Sequence, residues 1–131
     1  MLSQAAILMT ALLFGGMVLY SFGFASFLFS ALPADQAGPL LRRAFPHFYV
    51  FVIGCALAGV ALTASIDRTS ALILGLIAAT ALLARQILMP AIHRATDTGN
   101  RRRFGGLHTG SVLITLGHIA GSAAVILRLS A

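Results

Sequence analysis

Four histidines, His47, His93, His108 and His118, are the side chains of this sequence best suited to chemistry, because imidazole ligates haem iron and metal ions. Two of them lie in "RRRFGGLHTGSVLITLGHIAGSAAVILRL", Arg101 to Leu129, which is otherwise an apolar stretch long enough to cross a membrane. At about 100° per residue, His108, Ser111, Thr115, His118 and Ser122 fall within one arc and form a polar stripe. Gly110, Gly117 and Gly121 fall on the opposite face, where "GHIAG" is a small-xxx-small pattern that lets another backbone approach closely. For Ser111, Thr115 and Ser122 the plain reading is hydrogen bonding within their own helix. Ionisable groups at membrane depth are costly and tend to mark sites, so the histidines carry more interest.

Depth separates the two. His118 is ten residues beyond His108, about 15 Å along a helix, so the pair cannot hold one metal atom. His118 reads as a hydrogen-bond donor to a neighbouring helix. His108 instead shares its level with His47, in "FPHFYVF", and His93, in "MPAIHR", so three helices bring imidazoles to one end. Arg43 and Arg101, with Arg42, Arg102 and Arg103, surround them, and Phe45, Phe48 and Phe104 are nearby. This set suits a b-type haem: imidazole for the iron, guanidinium for the propionates, phenylalanine against the ring. The expected cofactor residues are His108, His47, His93, Arg43 and Arg101; for a bare metal they are His108 and His47. The alternative is that amphipathic side chains simply anchor the helices in the headgroup zone.

Arg85 either snorkels to the interface or stays as a buried cation bonded to Gln86, backbone carbonyls or an anionic ligand. Asp35, Asp67 and Asp97 all fall in expected loops, where caps and turns are their usual work. Cys55 is the only cysteine and sits beside Gly54 and Ala58, so it reads as a packing residue.

These side chains need a scaffold, and composition specifies it. Of 131 residues, 59% are hydrophobic and 9% charged, with a mean hydropathy of +0.96. The expectation is an all-α integral membrane four-helix bundle in one domain, with helices at about 5–32, 46–65, 70–92 and 104–127. "LPADQAGP", "IDRTS" and "HRATDTGNRRR" are the expected linkers. The first run is too long for a cleaved signal and has no basic residue before it. Nine arginines and no lysine set the orientation. Arg42, Arg43, Arg94 and Arg101 to Arg103 lie on one side, Arg68 and Arg128 on the other. The positive-inside rule then places both termini outside, N-out and C-out, in a bacterial inner membrane.

A net charge of +6 could suggest nucleic acid, but loops this short form no basic groove, and anionic headgroups explain the arginines better. No phosphate-cradling glycine loop, buried carboxylate pair or nucleophile with an evident base is present, so an enzyme is not expected.

The segments "GGMVLYSFGFASFLFSALPADQAGPLLRRAFPHFYVF", "LMPAIHRATD" and "RFGGLHTGSV" resemble the transmembrane protein 205 family, a four-helix membrane domain of largely unknown function. The resemblance runs from about Phe14 to His118. It rests on the order of Phe29, the following Leu-Pro, Gly38, Phe45–Pro46, Tyr49, Pro90, Leu107–His108 and Ser111. Two departures are Thr115 or Leu116, where the family tends to have asparagine, and Asp97, where glutamate is usual. The resemblance implies the four-helix topology and draws attention to His108. By looser analogy the arrangement is similar to small histidine-bearing bundles that hold haem or handle copper.

Three functions are therefore expected. The working one is haem b or metal binding. The second is a non-catalytic accessory subunit or assembly factor of a respiratory or photosynthetic membrane complex, or a homo-oligomer in the lipid bilayer. The third is a small-solute transporter, with the helix-four stripe lining a narrow polar path.

Overall fold

Hydrocarbon offers the backbone no water, so a segment that crosses it must satisfy its own N–H and C=O groups. The computed structural model, which describes residues 1–131, does this with helices alone: 102 of 115 backbone hydrogen bonds lie inside helices, and there is no strand. Four helices are long and apolar enough to span a membrane: α1 (Leu2–Ala31), α2 (Ala34–Thr63), α3 (Arg68–Asp97) and α4 (Arg101–Ser130). The chain is a multi-pass membrane protein.

Each helix has 30 residues, about 45 Å against a hydrocarbon core of about 30 Å. The apolar runs of the sequence mark only the part lying in hydrocarbon. The expected linkers are correspondingly too long. "ADQAGP" is helical, because Pro33 stands at the N-cap position and Asp35 occupies the first turn, where a carboxylate favours the helix N-terminus. Helix α3 runs on to Asp97, leaving Thr98, Gly99 and Asn100 as the whole turn to α4. Gly99 has φ +69°, a value glycine takes without strain. Asn100 then caps α4 by accepting from the Arg103 N–H at 3.1 Å.

Each helix packs on its sequence neighbours, and α4 closes the ring on α1. The core gathers Leu13 and Met17 of α1, Phe48 and Val52 of α2, Leu74 and Ala81 of α3, and Val125 of α4. Close approach needs glycine at two points. A Cβ on Gly16 would lie 2.5 Å from the Phe51 ring, and one on Gly59 2.8 Å from Leu74 Cδ1.

Two stretches depart from the regular helix. Leu19–Phe24 of α1 and Ala84–Leu88 of α3 are π-helical, and the Met89 N–H reaches back five residues to the Ala84 carbonyl. The second precedes Pro90, whose missing N–H and bulky ring disturb the preceding turn. Pro46 of α2 lies at the level of both. Tyr20 donates its hydroxyl to the Ala44 carbonyl at 2.9 Å, and Arg85 Nε donates to the Pro46 carbonyl at 3.2 Å. Side chains from α1 and α3 thus hold the proline-interrupted part of α2.

One end of the bundle carries the termini and the other carries Arg42, Arg43, Arg94 and Arg101 to Arg103. An ion pair ties each end. At the basic end Arg42 clasps Asp97 through two bonds of 2.7 and 2.9 Å. At the termini end Asp67 accepts from Arg128 at 3.1 Å twice, from Ser70 Oγ at 2.6 Å and from the Thr69 N–H at 3.2 Å. The Arg128 guanidinium, then the Ser70 hydroxyl, hold the Asp67 carboxyl well below the usual carboxylate range. A carboxyl depressed in the folded state stabilises above its unfolded value, about 4, and loses that contribution as pH falls below it. The thermal midpoint in detergent is expected to fall as pH is lowered from about 5 to 3. Asp67→Asn is expected to lower the midpoint at neutral pH and make that acid slope shallower. An unchanged slope would contradict the assignment.

Candidate functional site

The polar stripe of α4 divides at its middle. Thr115, His118 and Ser122 are buried, whereas His108 is exposed and Ser111 half-buried. Between Arg101 and Ile114 α4 packs on the end of α3, so Leu107, Gly110, Ser111, Val112 and Ile114 are half-buried, but no residue of that stretch is fully buried, although Leu28, Ala37, Met89 and Ala95 are buried at the same end of the other helices.

His118 is 6% exposed and its Nε2 lies 2.7 Å from Thr80 Oγ1 of α3. Thr80 Oγ1 also bonds to the Leu76 carbonyl at 2.7 Å. A hydroxyl has one proton; with that proton donated to Leu76, Thr80 must accept from His118, which assigns the His118 proton to Nε2. The expected interhelical donor role is therefore present, and its acceptor is the residue that pattern reading passed over. Thr80 and His118 lie equally far from the termini ends of α3 and α4. A lone hydroxyl in "LIAATALL" at that depth was the available signal. Thr115 lies beside the Tyr49 hydroxyl of α2, and Ser122 donates to the Ile119 carbonyl of its own helix at 2.9 Å. Ser111 likewise donates to the His108 carbonyl, at 2.7 Å.

The glycine face needs correction. Gly121 does pack closely, its missing Cβ facing Ile73 at 3.3 Å and Ile77 at 3.4 Å, but Gly110 and Gly117 have nothing within 4 Å. They point away from the bundle.

The three histidines expected at one level neither share it nor converge: α2 begins at Ala34 rather than near Pro46, so His47 lies about 20 Å from the basic end of its helix, against about 6 Å for His93 and about 10 Å for His108. His108 is exposed, and its ring stacks on Phe104 of its own helix at 5.6 Å and 8°. His47 is exposed on α2. His93 is half-buried beside the Arg42–Asp97 pair and lines a pocket of about 220 Å³ with Pro46, Arg85, Met89 and Pro90. No three His, Cys, Asp or Glu side chains are grouped as a metal site would need. Arg43 is exposed; Arg101 and Phe104 line a second pocket of about 220 Å³ under the α3–α4 turn, with Asn100 and Gly99. Cys55 is half-buried and unpaired within α2.

What this arrangement can do differs along its length. Towards the termini it is a sealed polar seam between α3 and α4. At the basic end it offers an exposed imidazole, an aromatic ring and several guanidinium groups on the outward side of a helix that packs on the end of α3.

No curated protein and no solved structure matches the sequence. Residues 8–101 match a family described as a domain of unknown function, DUF4149, over α1, α2, α3 and the turn into α4. His47, His93 and Arg85 lie within that match, and His108 and His118 beyond it. With most of its length matched, the chain belongs to the DUF4149 family.

Proposed function

We propose that the protein is a non-catalytic subunit of a larger membrane assembly, docking through the outward side of the first half of α4. One observation carries this reading: between Arg101 and Ile114 no residue is fully buried, and the outward side of the helix presents Gly106, Thr109 and Gly110 at or near membrane depth. Lipid solvates hydroxyl groups poorly, and a surface with gaps at Gly106 and Gly110 suits a closely packed helix better than acyl chains. A photo-reactive residue at Leu113, on the same face, tests the reading by capturing whatever protein lies there in native membranes.

A second reading rests on the other side of the same stretch. His108, stacked on Phe104 with Arg101 to Arg103 a turn or two away, is an accessible imidazole placed as an axial ligand of haem b would be, with cations at headgroup level for propionates. Neither pocket of about 220 Å³ would enclose a haem, since sites for ligands of that size run to several hundred Å³. The partner or a second copy would have to supply the other wall. This reading predicts a Soret band, with sharp α and β bands on dithionite reduction, that disappears in His108→Ala. A colourless, metal-free protein from haem-replete cells would contradict it. Transport has no comparable support, because the α4 stripe is interrupted by the closed His118–Thr80 contact.

The uneven arginine distribution supports an N-out, C-out orientation in a bacterial inner membrane. Phe29, Gly38, Phe45–Pro46, Tyr49 and Pro90, all inside the matched region, support kinship with the transmembrane protein 205 family.

A further inference from the structure

We infer that the groove between α2 and α3 binds the phosphate of an anionic phospholipid, with Arg85 as its counter-charge. The inference concerns a different face from the α4 surface and is independent of what covers that surface.

Arg85 is a charge without a charged partner. The chain has nine basic and three acidic side chains. Asp67 is engaged by Arg128 and Asp97 by Arg42, and Asp35 is exposed in the first turn of α2. None of these reaches Arg85. A guanidinium stays charged in any protein environment. Arg85 lies eight residues before His93, about 12 Å below it along α3, with Ile87, Leu88 and Met89 between. The side chain is held but not neutralised: Nε donates to the Pro46 carbonyl and Nη1 to Gln86 Oε1, each at 3.2 Å. Both acceptors are uncharged. The remaining guanidinium hydrogens are left for an anion that the chain itself does not provide.

The surroundings specify the anion. Pro46, Arg85, Met89, Pro90 and His93 line a space of about 220 Å³. Pro90, Gln86 and Ile87 are exposed, so the space opens on the lipid side of the bundle. His93 supplies an imidazole at the headgroup end, and Met89 an apolar wall. The π-helical turn Ala84–Leu88 carries Arg85, and such local widenings recur where a helix presents a functional side chain. A pocket of this size accommodates a compact oxyanion rather than a whole cofactor. Basic pockets between transmembrane helices are a recurrent way of holding phospholipid headgroups. Arginine also matches phosphate in a two-bonded fork.

The test uses the intact protein in nanodiscs that mix phosphatidylglycerol with phosphatidylcholine, with retained lipid read by native mass spectrometry. Phosphatidylglycerol adducts are expected in excess. Arg85→Gln is expected to reduce that excess about tenfold, as loss of a charge-assisted pair implies. Arg94→Gln, a basic residue outside the groove, leaves it in place. Should Arg85→Gln fail to fold, His93→Ala is read by the same ratio and is expected to lower it several-fold. An unchanged excess in the folded variants overturns the proposal. Inorganic phosphate added to phosphatidylcholine discs separates the two sources of the anion. It is expected to leave the thermal midpoint unmoved while phosphatidylglycerol raises it. A rise with phosphate equal to that with phosphatidylglycerol overturns the assignment to a lipid.

Discussion

In Gly59→Leu the contact between α2 and α3 is expected to fail. A Cβ at this position lies 2.8 Å from Leu74 Cδ1 and 3.7 Å from both Cγ and Cδ2, and Leu74 is fully buried. A leucine adds three more carbons in the same direction. Overpacking of a well-filled core typically costs about 1–3 kcal/mol, and here the neighbour has no free volume to move into. Transmembrane helices also have little hydrophobic drive to hold them together, so close packing through small residues carries much of their association. The expected result is a thermal midpoint in detergent many degrees below wild type, or no folded protein. Gly59→Ala should fall between, because only one Leu74 methyl has to shift. A midpoint for Gly59→Leu equal to wild type would show that α2 and α3 are farther apart than described.

The second large effect concerns the seam between α3 and α4. Thr80→Val keeps the side-chain shape and removes the acceptor of the His118 Nε2–H, leaving a donor without a partner in a 6%-exposed residue. An unsatisfied buried donor costs about 1–3 kcal/mol, and interhelical hydrogen bonds in membranes lie towards the low end of that range. Adding His118→Leu to Thr80→Val removes the orphaned group. The double variant is therefore expected to be more stable than the sum of the two single losses predicts. Unfolding of the four proteins in mixed micelles measures the coupling; strictly additive losses would mean that no bond joins Thr80 and His118.

These expectations rest on residues that differ in how readable they were beforehand. The four spans were legible because hydrocarbon tolerates few charges, and Leu, Ile, Val, Phe and Ala accumulate in runs between arginines. Their ends were not, because a helix continues into the headgroup zone as long as its backbone stays bonded, and Ala34–Phe45 does so despite its polar side chains and Pro39. The donor role of His118 followed from its depth and face, but Thr80 offered only a single hydroxyl. The glycine face shows the limit most directly. Angular position placed Gly110, Gly117 and Gly121 together, yet only Gly121 meets a neighbour. Periodicity says which residues share a face; it cannot say where along the helix the neighbours stop. The π-helical turns left no mark in the periodicity, although Pro90 lies next to one of them.

At the basic end, the similar depths of His93 and His108 were legible from their distance to the helix ends, whereas His47 was misplaced because α2 continues from Pro46 back to Ala34. The directions of these side chains were not legible. His93 joins Arg85 in the α2–α3 groove, and His108 lies on the first half of α4. One end of the bundle thus presents two separate surfaces, a small lipid-facing groove and the outward side of the first half of α4.

Docking on the outward side of the first half of α4 is the central claim, and photo-crosslinking tests it most directly. A benzoylphenylalanine placed at Leu113 is compared in native membranes with one at Leu72 of α3; the two leucines are 62% and 68% exposed. A subunit docked on α4 predicts a discrete protein adduct of defined mass from position 113 and none from position 72. If both positions give only lipid adducts, or if both give the same protein pattern, the first half of α4 faces lipid like any other outer surface and the docking account is wrong.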